Sequence, residues 1–434
     1  MLTPQLRRER GQAIVLLALA LIGLLGFAAV ALDGGNIYTE QRRAQSAADN
    51  AVMAAAYQYM MGSTSTISTT ALANAATNDY DNNSTSNWVK FYRPPIIGAY
   101  VGNSDYMQVV ITERVPTALA HLVYKGPFQL TVSSVARAVK AGPPVDGNAV
   151  VSLAKDGCSV IKTNGNGNLV VSNGGVFANS VGDTNCGVGA VVVNAAGGGS
   201  IVVNDGYDIN VVDTSHPAGG AGTILPWPVE SGAEPISSDP LGDLDPPNCG
   251  PNQGAASGSG SLSPGTYTSI KATGTLTLQP GLYCITDNDA HAVDIMPSGV
   301  LAGTGVMIYL QSGGMSIQQG IMDLKAPSTT YNPSCASILP WEAPNTSVCH
   351  YIGIVFYMDR NNPNDIALAG QAGWNIEGTI YAPSAEVELE GNGDWSVTGQ
   401  ILSDTFVAGG NGDVNVFFNP DLIYIPAPSI SLMQ

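Results

Sequence analysis

Residues 147–172 read GNAVVSLAKDGCSVIKTNGNGNLVVS, and residues 190–212 read AVVVNAAGGGSIVVNDGYDINVV. Short β-branched runs, at 149–153, 169–171, 190–193, 201–203 and 209–212, are separated by Gly, Asn and Asp. Similar runs follow at 276–278, 306–310, 352–358, 374–381, 387–389 and 395–402. No long helical pattern separates them, which argues against a parallel sheet built from βαβ units. Short strands with such turns fit a parallel β-solenoid, a right-handed β-helix, in which each coil buries an inward row of Val, Ile and Leu against its neighbours. Gly and Asn suit the corners because both tolerate φ > 0. Pro264-Gly-Thr-Tyr267 recurs as Pro280-Gly-Leu-Tyr283. At some 20–25 residues per coil, 147–427 holds on the order of ten coils. A β-sandwich is the alternative. Residues 217–263, rich in Pro, Gly, Ser and acids, read as an excursion from the stack.

The chain has 434 residues, of which 44% are hydrophobic and only 12% charged. Enough apolar residues are present for a large core, and the composition is β-rich and turn-rich, not disordered. The charge is unevenly placed. Residues 1–140 hold 11 Lys/Arg against 8 Asp/Glu, whereas 141–434 hold 5 against 26. So acidic a region repels phosphate backbones, so no nucleic-acid partner is expected.

Residues 11–32, GQAIVLLALALIGLLGFAAVAL, carry no charge and follow Arg7, Arg8 and Arg10. Twenty-two helical residues span about 33 Å, enough for a hydrocarbon core of about 30 Å. The basic flank places the N-terminus in the cytoplasm and the rest outside the membrane or in a periplasm. Two rival readings are a cleaved signal peptide, with Ala29-Val30-Ala31 as a small-x-small site, and a prepilin leader cut at Arg10-Gly11. Against the second, Leu16 stands where such leaders place Glu. Beyond Gly34-Gly35 a second helical pattern carries Ala44, Ala47, Ala48, Ala51 and Ala55 on one face. That small-residue stripe suits either a partner helix or the protein's own strands.

Residues 8–13 (RERGQA), 31–35 (ALDGG) and 41–51 (QRRAQSAADNA), spaced around the apolar run, closely resemble the N-terminal segment of TadE/TadG-like Flp (tight-adherence) pilus-assembly proteins. Val109 to Thr117 and Val132 to Ala138 continue the likeness, and 377–383 with 397–401 look like β-helical tails of some Tad-like envelope proteins. The resemblance implies a single-pass envelope protein associated with pilus assembly. The expected organisation is 1–59 for basic tip, membrane helix and Ala-rich helix, 60–142 for a small α+β module, and 147–427 for the solenoid. Within the module, 106–112 and 128–139 alternate like half-buried strands, with a short helix at 117–124 between them.

Chemistry is sparse. Cys158, Cys186, Cys249, Cys284, Cys335 and Cys349 all lie in the acidic region, and none forms a Cys-x-x-Cys pair. An even number on one side of a membrane segment points to disulfides in an oxidising space, with sequential pairing the simplest of 15 schemes. The four His are scattered, and no catalytic or nucleotide-binding motif appears. Glu386, Glu388 and Glu390 share one face of a strand and read as solvent-facing. Asp287, Asp289 and Asp294 are the candidate Ca²⁺ ligands, although their spacing is not an EF-hand loop. No cofactor and no catalytic residue are expected. The functional expectation is a non-catalytic surface protein of pilus assembly or adhesion, with envelope proteins and a surface glycan as partners. The rivals are an extracellular polysaccharide-active enzyme and a structural polymer of stacked solenoids. The scarcity of Lys and Arg beyond residue 140 argues against cleavage of acidic sugars.

Overall fold

A computed structural model describes residues 10–117, 119–120, 128–140, 142–182, 187–193, 198–370, 374–393 and 395–433. The chain divides into two compact units, Met1–Lys140 with Pro428–Gln434, and Ala141–Ala427.

In the first unit, helix α1 (Arg10–Met60) runs unbroken for 51 residues, about 77 Å at 1.5 Å per residue. The two helical patterns on either side of Gly34-Gly35 are therefore one helix. Each Gly costs about 1 kcal/mol of helix propensity, which Leu- and Ala-rich flanks on both sides outweigh. Helix α2 (Ile67–Thr77) follows, then strands β1 (Asn87–Tyr92), β2 (Tyr106–Val115) and β3 (Phe128–Val139). They form an antiparallel sheet in the order β1-β2-β3, with Ser429–Met433 as a fourth strand on the edge of β3. Ser429 pairs directly with Val139, so the whole second unit is an insertion at one end of a hairpin. The Ala stripe packs inside this unit. Ala44, Ala47, Ala48, Ala51 and Ala55 are fully or almost fully buried in one cluster with Val109 and Ile111 of β2 and Val132 and Ala136 of β3. Small side chains let the helix lie close on the sheet. Most of the helix expected at 117–124 lies outside the described residues.

The second unit is a parallel solenoid, not a sandwich: every strand pair in its sheet is parallel. Each coil has three sides. Followed by strand pairing, the described residues form ten rungs. In spatial order these are 252–262, 265–278, 281–304, 306–325, 354–377, 380–398, 401–417, 148–172, 175–203 and 209–225. The stack order thus departs from chain order. The chain enters at rung 8, climbs to rung 10, returns to the far end as rung 1, and then builds upward until rung 7 meets rung 8. That junction is fully paired on all three sides: Ile401 opposite Val150, Phe406 opposite Ile161 and Val414 opposite Leu169. A single apolar cluster runs through all the rungs.

The excursion is shorter than 217–263. Residues 218–220 and 223–225 belong to rung 10, and 256–262 to rung 1. Only the intervening stretch leaves the coils, apart from a two-residue strand at Glu230–Ser231 on the last rung. This strap runs back along the first side of the stack. Ile236 meets Asn179 on rung 9, Asp239 meets Tyr381 on rung 6, and the Leu244 carbonyl accepts from the Tyr357 hydroxyl on rung 5 at 3.3 Å. Leu241 and Leu244 are buried in a second cluster with Leu282, Met307, Tyr357 and Leu402. The outward face of that side is therefore also apolar, because the strap covers it.

One corner shows why Gly recurs. The rings of Trp374 and Trp395, on rungs 5 and 6, pack inside with centroids 4.4 Å apart. A Cβ on Gly391 would sit 2.5 Å from the Trp395 ring nitrogen. A Cβ on Gly410, at φ +92°, would likewise collide with the Gly391 carbonyl.

Candidate functional site

The exposed apolar surface of α1 and its lower end form the first functional feature. Ile14, Leu17, Leu24 and Phe27 are more than two-thirds exposed, and the rest of the run to Leu32 is similarly open. An uninterrupted apolar cylinder of this kind is stable only in lipid or against other apolar helices. The next residue, Asp33, is 5% exposed, and its carboxylate accepts the backbone N–H groups of Leu119 (3.0 Å) and Ala120 (2.5 Å). Asn36 donates to the Pro116 carbonyl at 3.0 Å. Two side chains at the end of the apolar run thus hold the segment that follows β2. A carboxylate beside an apolar span needs such charge-assisted partners.

On the solenoid, Glu386, Glu388 and Glu390 alternate with inward Val387 and Leu389 and point outward, half-buried. Glu386 faces Lys162 at 3.6 Å and accepts from the Thr405 hydroxyl at 3.0 Å. Burial, reinforced by the charges of Glu390 and Glu386, raises the Glu388 carboxyl above its ordinary range, and Lys162 only partly opposes this. A raised carboxyl pKa contributes stability at low pH that is lost as pH rises through the folded value. Glu388→Gln should therefore raise the melting temperature at pH 7 by about 1–2 °C, from about 0.5–1 kcal/mol after solvent screening. That gain should disappear at about pH 3, below the ordinary carboxylate range, where the raised Glu388 carboxyl is protonated in the folded chain. Melting curves at both pH values check this, and an equal gain at both would contradict it.

The candidate Ca²⁺ ligands are separated by their roles. Asp287 and Asp289 accept backbone N–H groups within their own turn, whereas Asp294 lies on a strand and pairs with Lys271 at 3.1 Å. Among the described residues no group of three or more His, Cys, Asp or Glu could hold a metal. Cys249 and Cys284 form a disulfide that ties the end of the strap to rung 3, and Cys335–Cys349 closes a loop between rungs 4 and 5. Cys158 is disulfide-bonded, and Cys186 lies outside the described residues.

A polar clasp under the strap has no counterpart among the expected sites. The Arg360 Nε donates to Asp239 at 2.8 Å, and its guanidinium also reaches the carbonyls of Leu241 and Leu244. Tyr381 donates to the same Asp239 carboxylate, and Tyr309 donates to Asp359 at 2.6 Å. Burial opposes the Arg360 charge, but the hydrogen bond and charge of Asp239 outweigh it and hold the guanidinium above its ordinary range. Burial and then Asp239 push the Tyr381 hydroxyl well up. Arg360 stays charged and Tyr381 neutral, and both position the strap.

Residues 11–58 match the family described as putative Flp pilus-assembly TadE/G-like. No match was found among curated proteins. A glycosylated ice-binding protein from Arctic yeast is 14% identical, covering 65% of this chain and 94% of that one, with a TM-score of 0.24. An ice-binding protein domain of Shewanella frigidimarina is 17% identical, covering 63% and 98%, with a TM-score of 0.23. The competence-associated pilin ComZ of Thermus thermophilus is 12% identical, covering 80% and 82%, with a TM-score of 0.22. Likenesses this weak carry no argument about what this chain does.

Proposed function

We propose that the chain is a single-pass envelope protein of Flp/Tad-type pilus assembly that presents its solenoid outside the membrane as a non-catalytic adhesive surface. The observation that carries the reading is that the TadE/G-like segment, 11–58, coincides with one continuous helix. The first half of that helix is apolar and open, and its second half is buried in the small module. The three basic residues before the apolar run favour a cytoplasmic N-terminus. Disulfides confined to the second unit support an oxidising location for it. The scarcity of cations there, and the full engagement of Arg360 in the clasp, support a non-catalytic role.

Intact cells reduced and then treated with a membrane-impermeant thiol reagent should become labelled at the solenoid cysteines. Absence of labelling before lysis, with strong labelling after it, would reverse the orientation. The functional part is tested by joining residue 139 to 429 through a short turn, which their direct pairing permits. That shortened chain should remain in the membrane with its pilus-assembly partners while cells lose attachment. Unchanged attachment would remove adhesion from the reading.

A further inference from the structure

A groove of about 520 Å³ follows the corner where the third side of the solenoid turns into the first. Its volume is that of a small-ligand site. Thr398, Phe417, Asn173 and Tyr207 stand along it on or just after rungs 6, 7, 8 and 9, and the segment 418–420 forms one wall. Rungs lie about 4.8 Å apart, so Phe417 and Tyr207 are roughly 10 Å from each other along the stack. Both rings are open, 41% and 44% exposed, whereas the adjacent Phe418 is 7% exposed and belongs to the core. Packing therefore accounts for Phe418 but not for the other two.

The polar lining is built, and it is uncharged. Asn173 sits at φ +60° with its backbone N–H held by Asp205 at 3.1 Å. The side-chain Oδ1 of Asn419 accepts the Asp421 backbone N–H at 3.0 Å. No lining residue is an acid or a base, in a region that holds 26 acids and 5 bases. Two aromatic faces, two amides and a hydroxyl around a neutral groove match a ligand whose rings have apolar faces and hydroxyl edges. A polyanion would find no counter-charge among the lining residues, and a purely apolar ligand would strand the amides.

We propose that this groove binds an uncharged oligosaccharide chain long enough to cover both the Phe417 and Tyr207 rings. The proposal rests on the adhesive reading above and names its ligand class. Purified full-length protein in detergent should bind at least one of chitotetraose, cellotetraose or maltotetraose by calorimetric titration. The matching monosaccharide, covering one ring at most, should bind far more weakly. Tyr207→Ala and Phe417→Ala should each weaken binding about tenfold or more, with unchanged melting curves, and Tyr207→Phe should largely preserve it.

Failure of all three tetrasaccharides, or binding indifferent to both alanine variants, would overturn the proposal. So would loss of self-association in Tyr207→Ala without any sugar effect, which would make the corner an interface between copies. Because the titration needs no cell, sugar binding without attachment would sink only the adhesive reading. Attachment without sugar binding would sink only the groove.

Discussion

A chain ending at Pro340 should fail to form any cooperatively melting solenoid and should aggregate. The cut removes rungs 5 to 7, which are the middle of the stack, not its end. Rungs 1 to 4 and rungs 8 to 10 would then face each other across about 14 Å with their apolar interiors open. The strap would span that gap without Arg360, Tyr357 and Tyr381, the groups that hold it. Far-ultraviolet circular dichroism with thermal melting, and sedimentation of the soluble fraction, measure the outcome. A soluble fragment with one sharp transition would show that rung 4 can dock on rung 8, and one with two transitions would show two independent β domains.

Replacing Trp395 with Ala should cost about 3–5 kcal/mol, the range for emptying a large buried aromatic site. Trp395 is 1% exposed and packs at a tilt of 44° against Trp374, which is itself fixed by its ring N–H on the Gly320 carbonyl at 2.8 Å. The corner above it is made of Gly391 and Gly410 backbone, so neighbouring side chains have little means of collapsing into the space. Denaturant unfolding of the two proteins measures the difference. A loss below about 1 kcal/mol would mean that the two Trp rings do not share one rigid core.

Much of this architecture was readable from residue patterns. The apolar run of α1, the Ala stripe, the short β-runs and a coil number near ten follow from periodicity and turn chemistry. The stack order does not. Pairing 401–417 with 148–172 joins parallel strands about 250 residues apart, and inward Val, Ile and Leu look alike on every rung. The strand Ser429–Met433 is too short and too exposed to announce itself. The clasp left one trace: Arg360 is the only Arg beyond residue 140, and a lone guanidinium in an acidic β region invites a search for its carboxylate. The sugar groove left none, because Asn173, Tyr207, Thr398 and Phe417 are brought together only by the reversed stack.

The reversed stack also governs when this protein can fold during its own synthesis. A ribosome delivers rungs 8 to 10 first, and their lower face must wait until residue 417 has been made before rung 7 covers it. The small module waits longer still, since Ser429–Met433 is translated after the entire solenoid. A chain interrupted before residue 417 finishes neither unit, and one interrupted before the last strand leaves the module incomplete. Nascent chains would therefore carry an open β-edge for most of translation, a period that calls for chaperone cover. Premature termination anywhere before the last strand therefore leaves the edge of β3 uncovered.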